Sequence, residues 1–179
     1  MSPEDIEDWF RDLKREGWEP NNRSPEDEGN NCIAHAAGDE ENKWDPNNNV
    51  DGRYWPDDIP CNLELETFVR LYEKECGYLV CDNGNLEDGF EKIAIYWNFN
   101  PEEQKVEVTH AARQLPSGKW ISKLGPMDDI IHNTVAGVGG LWPAYGTVAK
   151  FMKRPKPSTS STLYISIPPT LALPPPRDT

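Results

Sequence analysis

The sequence predicts an α+β fold in which helices come first and a small antiparallel sheet follows. Three observations predict it. Apolar residues recur at helical spacing near residues 6–13 and 65–72. Later runs at 90–97, 107–115 and 119–124 read as strands separated by turn residues. At 179 residues the chain suits one domain with a core, with extensions. Helix, helix and then a three-stranded meander is an α+β order rather than the alternation of a parallel sheet.

Ser2-Pro3-Glu4-Asp5 supplies an N-cap, a proline at the first helical position and acids in the first turn. Ile6, Trp9, Phe10 and Leu13 then share one face, and Gly17 ends the helix. A loop rich in Asn, Pro and acids leads to Asn31. Cys32 follows in Asn30-Asn31-Cys32-Ile33-Ala34-His35-Ala36-Ala37-Gly38, a polar loop running into small residues, which sets the thiol at a helix N-terminus. There exposed backbone N–H groups favour a thiolate. Residues 39–49 read as irregular from their turn chemistry.

Asn62 to Lys74 predicts an amphipathic helix, with Leu65, Phe68, Val69 and Tyr72 on one face and Gly77 closing it. Phe90 to Trp97 reads as a strand. Glu107 to Leu115 and Lys119 to Leu124 flank Pro116-Ser117-Gly118 as a hairpin. Asp128 to Val138 reads as a helix capped by acids, which makes His132 an ordinary surface histidine, and Tyr145 to Met152 as a last strand. From Lys153 the composition changes: seven of the seventeen prolines fall in residues 155–179, beside a Ser/Thr run at 158–162. The expected division is a domain over 1–152 and a flexible tail over 153–179.

Net charge is −13 and unevenly spread, with 27 acids against 9 Lys/Arg in residues 1–103 and 4 against 9 in residues 104–179. The acidic first part argues against a nucleic-acid backbone as partner, since phosphates need a cationic footprint. The start of the chain lacks the apolar core of a signal peptide, and no run approaches membrane-spanning length, so a soluble cytoplasmic protein with reduced thiols is expected. Cys32, Cys61, Cys76 and Cys81 form no C-x-x-C pair, so neither a metal nor another cofactor is expected. A Cys76–Cys81 bridge stays open.

The segment His110 to Ser122 resembles the histidine-bearing hairpin of NlpC-type and other papain-like cysteine peptidases and amidases. In that clan a strand histidine is followed by a glycine turn about eight residues on, here Gly118, and by a polar orienting residue twelve on, here Ser122. The clan usually has His, Asn, Asp or Gln at that last place. The order also resembles the clan's, with the nucleophile at an early helix and the base on a later sheet. Asn31 to Gly38, Thr109 to Gln114 and Ser122 to Gly125 together resemble an uncharacterised bacterial family of small soluble proteins, over roughly residues 5–155, which implies no particular activity.

The resemblance implies a papain-like arrangement of N-terminal helices on the sheet, and acyl transfer from an amide. His110 would draw the proton from Cys32 to give a thiolate–imidazolium pair within hydrogen-bond reach, and Ser122 or Gln114 would hold the imidazole tautomer. The backbone N–H of Cys32 and the Asn31 side chain would stabilise the oxyanion. His35, one turn beyond Cys32, competes for the base role or lines the cleft. Trp44, Trp55 and Trp120 complete the candidate substrate-binding set, with Trp44 and Trp55 equally readable as plugs over the core. Two function classes stand: a cysteine hydrolase acting on a peptide or protein amide, and a noncatalytic acidic binding or inhibitor protein that docks a basic protein partner.

Overall fold

The structure is a computed structural model that describes residues 2–21, 28–47, 52–125 and 127–157. Part of the 39–49 loop and residues 158–179 of the expected tail lie outside the described residues.

The N-terminal helix is broken in two. Helix α1 (Pro3–Trp9) opens with the expected cap, Ser2 Oγ accepting from the Asp5 N–H while Asp5 reaches back to the Ser2 N–H. Phe10 leaves helical geometry, and α2 (Arg11–Arg15) follows. The break still buries Ile6, Phe10 and Leu13, while Trp9 is largely exposed. Helix α3 (Cys32–Ala37) is stopped by Gly38 at φ 89°, a conformation that L side chains resist. Two short strands, β1 (Lys43–Trp44) and β2 (Arg53–Tyr54), pair in parallel where only irregular chain was expected. Helix α4 (Leu65–Cys76) buries Phe68, Val69 and Tyr72 as predicted and also Leu71, while Leu65 is only partly buried.

Six strands, where the meander and a last strand gave four, make the main sheet among the described residues. They are β3 (Leu79–Cys81), β4 (Phe90–Asn100), β5 (Lys105–Gln114), β6 (Trp120–Lys123), β7 (Asp129–His132) and β8 (Thr147–Pro155), in the order β3-β8-β4-β5-β6-β7 with every pair antiparallel. Two expectations fail here. Asp128 to Val138 is not a helix: Asp129–His132 pairs with β6 and only Val135–Val138 turns, as a 3-10 helix. Nor does the fold end at residue 152, because Lys153, Arg154 and Pro155 pair with β4 as the end of β8. Their ladder hydrogen bonds outweigh the composition change.

The sheet is covered on both faces, so its centre is buried twice over. Alternating side chains send Ile93, Ile95, Ala111 and Met152 into one core with α3 and α4. Ala94, Tyr96, Ala112, Trp120 and Ile130 enter a second core with Ile6, Phe10 and Leu13. In β5, Tyr96 pairs with His110 and Trp97 with Val108, so Thr109 is an unpaired bulge beside the histidine. Pairing between β5 and β6 covers only Arg113–Ile121 and Gln114–Trp120. Next to His110 the two strands have separated, and α3 packs against both. That opening positions the candidate site.

Candidate functional site

Asn31 sets where α3 begins. Its Oδ1 accepts from the N–H of Ala34 at 3.1 Å and of Trp44 at 3.1 Å, and its Nδ2 donates to the Trp44 carbonyl at 2.8 Å. The side chain therefore caps the helix and fastens β1 to it. One of its two amide hydrogens is committed to Trp44, so the expected oxyanion role would fall to the other. Tyr72 holds α3 from the other side, its hydroxyl donating to the Ile33 carbonyl at 2.9 Å. Cys32 is thereby fixed as the first helical residue, partly exposed, with its sulfur facing the backbone N–H groups of Ala111, Ile33 and Cys32 itself.

Those N–H groups do not yield a thiolate. Burial pushes the Cys32 thiol up to about 11, against the pull of the three N–H groups. Helix α3 has six residues, so its terminal partial charge is small, and the nearby Asp45 carboxylate works in the same direction as burial. The expectation of a depressed thiol is overturned by desolvation.

The histidine is held by a chain of buried polar groups. His110 Nε2 lies 2.9 Å from Ser122 Oγ, and Ser122 Oγ lies 2.9 Å from His132 Nε2. His132 Nδ1 lies 2.6 Å from the Thr134 carbonyl oxygen. His110 and Ser122 have no exposed surface and His132 has 1%. Tyr145 stacks on the His110 ring at 3.9 Å with planes 1° apart, and Tyr96 meets it edge-on at 5.5 Å. The Tyr145 backbone is pinned by Thr109 Oγ1, which donates to its carbonyl at 2.6 Å. Burial, reinforced by the neighbouring histidines, holds His110 well below the ordinary imidazole range, and burial lowers His132 as well. Burial raises the Tyr145 hydroxyl, with the Cys32 sulfur close enough to add to the effect.

Cys32 and His110 come together only in part. The sulfur faces the N–H of Ala111, the residue after His110, but His110 Nδ1 is buried with no hydrogen-bond partner among the described residues. The expected thiol–imidazole hydrogen bond is therefore not made. With the thiol raised and the imidazole lowered, the resting pair is neutral rather than the expected thiolate–imidazolium.

Ser122 reaches His110 as expected, but the other predicted residues are employed elsewhere. Gln114 Nε2 donates to the Gly84 carbonyl at 2.6 Å, and with Trp120 it borders a separate cavity of about 550 Å³ whose lining includes Gly84, Lys119 and Phe151 but none of Cys32, His110 and Ser122. Gln114 thus holds a loop, not an imidazole. Trp120 is buried against Phe151. Trp44 is buried, its Nε1 donating to Asp39 at 2.9 Å, and Trp55 is buried against Phe68, its Nε1 shared between the Ile59 and Pro60 carbonyls at 3.2 Å. Trp44 and Trp55 plug the body of the protein, and Trp120, though buried, borders only the separate cavity. His35 faces Asp129, Nε2 to Oδ2 at 3.8 Å, with Lys123 on the other carboxylate oxygen at 3.5 Å. It belongs to that buried charged group.

Three residues escaped the sequence reading: His132, Tyr145 and Glu16. Two adjacent β-branched residues, Ile130 and Ile131, favour a strand over the helix that the flanking acids suggested, but they do not show that His132 is buried. Glu16 lies at the end of α2 and takes the N–H groups of Asn133 at 2.7 Å and Thr134 at 3.1 Å and the Thr134 hydroxyl at 2.8 Å. No local pattern announces a partner 117 residues away. Among the described residues no cluster of three or more His, Cys, Asp or Glu is arranged to hold a metal ion, all four cysteines are free, and no helix is long and apolar enough to cross a membrane.

Fold and site together define an α+β protein with a half-buried cysteine at a helix start and a buried His-Ser-His chain in an antiparallel sheet. The chain belongs to the family described as Domain of unknown function (DUF7689), whose model matches residues 21–153. The match spans both Cys32 and the His110–Ser122–His132 chain and begins after α2. No curated protein and no solved structure is detectably similar.

Proposed function

We propose that the protein is a cysteine hydrolase of papain-like arrangement, acting on an amide of a peptide or protein with Cys32 as nucleophile and His110 as base. The observation that carries this reading is the allocation of the His110 ring: Nε2 is engaged by Ser122 at 2.9 Å, while Nδ1 has no partner, in a strand whose next N–H faces the Cys32 sulfur. A histidine oriented at one nitrogen and unoccupied at the other is what a base needs.

Because the resting pair is neutral, the reaction is general-base assisted. As the Cys32 sulfur forms its bond to the amide carbon, the thiol proton passes to His110 Nδ1, giving an imidazolium protonated at both nitrogens. That proton then goes to the leaving nitrogen as the C–N bond breaks. Water, deprotonated by the same Nδ1, releases the acyl group as a carboxylic acid and restores the thiol. The backbone N–H groups around the sulfur are the available oxyanion donors. Substrate entry must bring sulfur and Nδ1 together, since catalytic hydrogen bonds often tighten only in the complex.

A second reading, the noncatalytic acidic protein that docks a basic partner, is favoured by two observations. His110 has no exposed surface, and it makes no hydrogen bond to the cysteine. The pH profile of Cys32 alkylation by iodoacetamide separates the two, with mass spectrometry resolving the four cysteines. Assistance by a neutral His110 gives a rate that is flat from about pH 6.5 upward and falls on His110→Gln. An unassisted thiol near 11 instead reacts roughly tenfold faster per pH unit through the same range, with or without His110, and that profile would overturn the hydrolase reading.

A further inference from the structure

We infer that His132, acting through Ser122, fixes His110 as its Nε2–H tautomer and so leaves Nδ1 as the bare nitrogen. The inference deepens the hydrolase reading and rests on it only for what Nδ1 does.

The direction of each hydrogen bond follows from one fixed end. The Thr134 carbonyl can only accept, so at 2.6 Å the proton between them sits on His132 Nδ1. A neutral imidazole carries one proton, which makes His132 Nε2 an acceptor. The only hydrogen within reach at 2.9 Å is the Ser122 hydroxyl's, so Ser122 donates to His132. A hydroxyl has one hydrogen, and Ser122 must then accept from His110, which places the His110 proton on Nε2. Nδ1 is left with a lone pair. Ser122 alone cannot do this, because a serine hydroxyl serves equally as donor or acceptor. The choice is made at the far end of the chain.

The far end is built to make it. Glu16 gathers the N–H groups of Asn133 and Thr134 and the Thr134 hydroxyl, and Asn133 Nδ2 donates to the Glu16 carbonyl at 3.1 Å, so the turn that carries the Thr134 carbonyl is tied down from α2. His132 itself borders a cavity of about 230 Å³ with Glu16, Trp18 and Lys119. Both His132 and His110 must be neutral for this assignment, and burial favours that at each. In role His132 is a positioning residue: it sits behind Ser122 and touches neither sulfur nor substrate.

The test is the tautomeric state of each histidine in the full chain near pH 7.5, read from the ¹⁵N shifts and long-range proton couplings of the three imidazoles. The expected result is a single Nε2–H tautomer for His110 and Nδ1–H for His132. An Nδ1–H tautomer for His110 in the wild type overturns the inference without any variant. In His132→Phe the Ser122 hydroxyl loses its acceptor and turns to His110 Nε2, so the His110 proton should shift to Nδ1; an unchanged Nε2–H signal there would also overturn it. If His132→Phe does not fold, Ser122→Ala serves, and loss of the single Nε2–H preference is expected. The flat Cys32 alkylation rate should fall by about 10²-fold in either variant if Nδ1 is the base. If the tautomers are as stated but Cys32 reacts as an ordinary thiol, the hydrolase reading fails and the tautomer assignment stands.

Discussion

Acidification should unfold this protein from an unusually high pH, and the histidine chain sets how steeply. His110 and His132 are buried and neutral in the native state, the first well below and the second below the ordinary imidazole value. In the unfolded chain each titrates near about 6.5. Above that value neither state binds the proton and the stabilisation is complete. As pH falls below it, the unfolded chain takes up protons that the native protein refuses, so stability drops until the folded values are reached. As the pH falls below about 6.5, His110, held well below that value, costs about 1.4 kcal/mol per pH unit, and His132 adds to the loss until its own folded value is reached. His35 adds to the slope to a lesser degree, since Asp129 opposes its desolvation. The carboxylates lowered by their partners, Asp39, Glu87 and Glu107 among them, lose their contribution only at more acid pH, so the two windows separate. Urea unfolding of the full chain at pH 7.5, 6.5, 5.5 and 5.0 gives the slope, and His110→Gln should reduce it by about 1.4 kcal/mol per unit. A stability that is level from pH 7.5 to 5.0, or a slope that His110→Gln leaves unchanged, would refute the neutral buried chain.

Two further outcomes test how the site is held. Asn31→Ala removes the α3 cap and both ties to Trp44, and should cost about 2 kcal/mol in urea unfolding while leaving the His110 tautomer in place. Gly146→Ala should cost at least about 3 kcal/mol or abolish folding, because Gly146 sits at φ 85° and an added Cβ would lie 1.9 Å from the Trp97 carbonyl oxygen. A circular dichroism melt reads that loss.

What could be read from the chain was whatever is local. Ser2-Pro3, the Leu65–Tyr72 stripe and the Gly118 turn each carry their geometry within a few residues, and α1, α4 and the β5–β6 hairpin stand where these signals put them. The placement of Cys32 at a helix start follows from Asn31 capping Ala34, and the Ser122–His110 contact stands where the resemblance to papain-like hairpins implied it. The failures arose where distant chain decides. Desolvation of Cys32 depends on α4 and β5 closing around it. His132 became a core residue because β6 offered Asp129–His132 an edge, and local acids could not reveal that. Trp44 and Trp55, readable either as cleft walls or as plugs, proved to be plugs, because each indole found partners in the body. Lys153 to Pro155 remained in the sheet because β4 is long enough to receive them.

Glu16 also bears on the order in which the molecule can be assembled. The carboxylate that ties down the Thr134 turn precedes its partners by 117 and 118 positions. On a ribosome α1 and α2 must wait, with Ile6, Phe10 and Leu13 uncovered, until β4 to β7 have been synthesised and paired. Only then can the second core close and the hydrogen-bond chain acquire its fixed end. The buried histidine chain is thus a late product of folding, and a chain released before residue 134 would lack the carbonyl on which His132 is fixed.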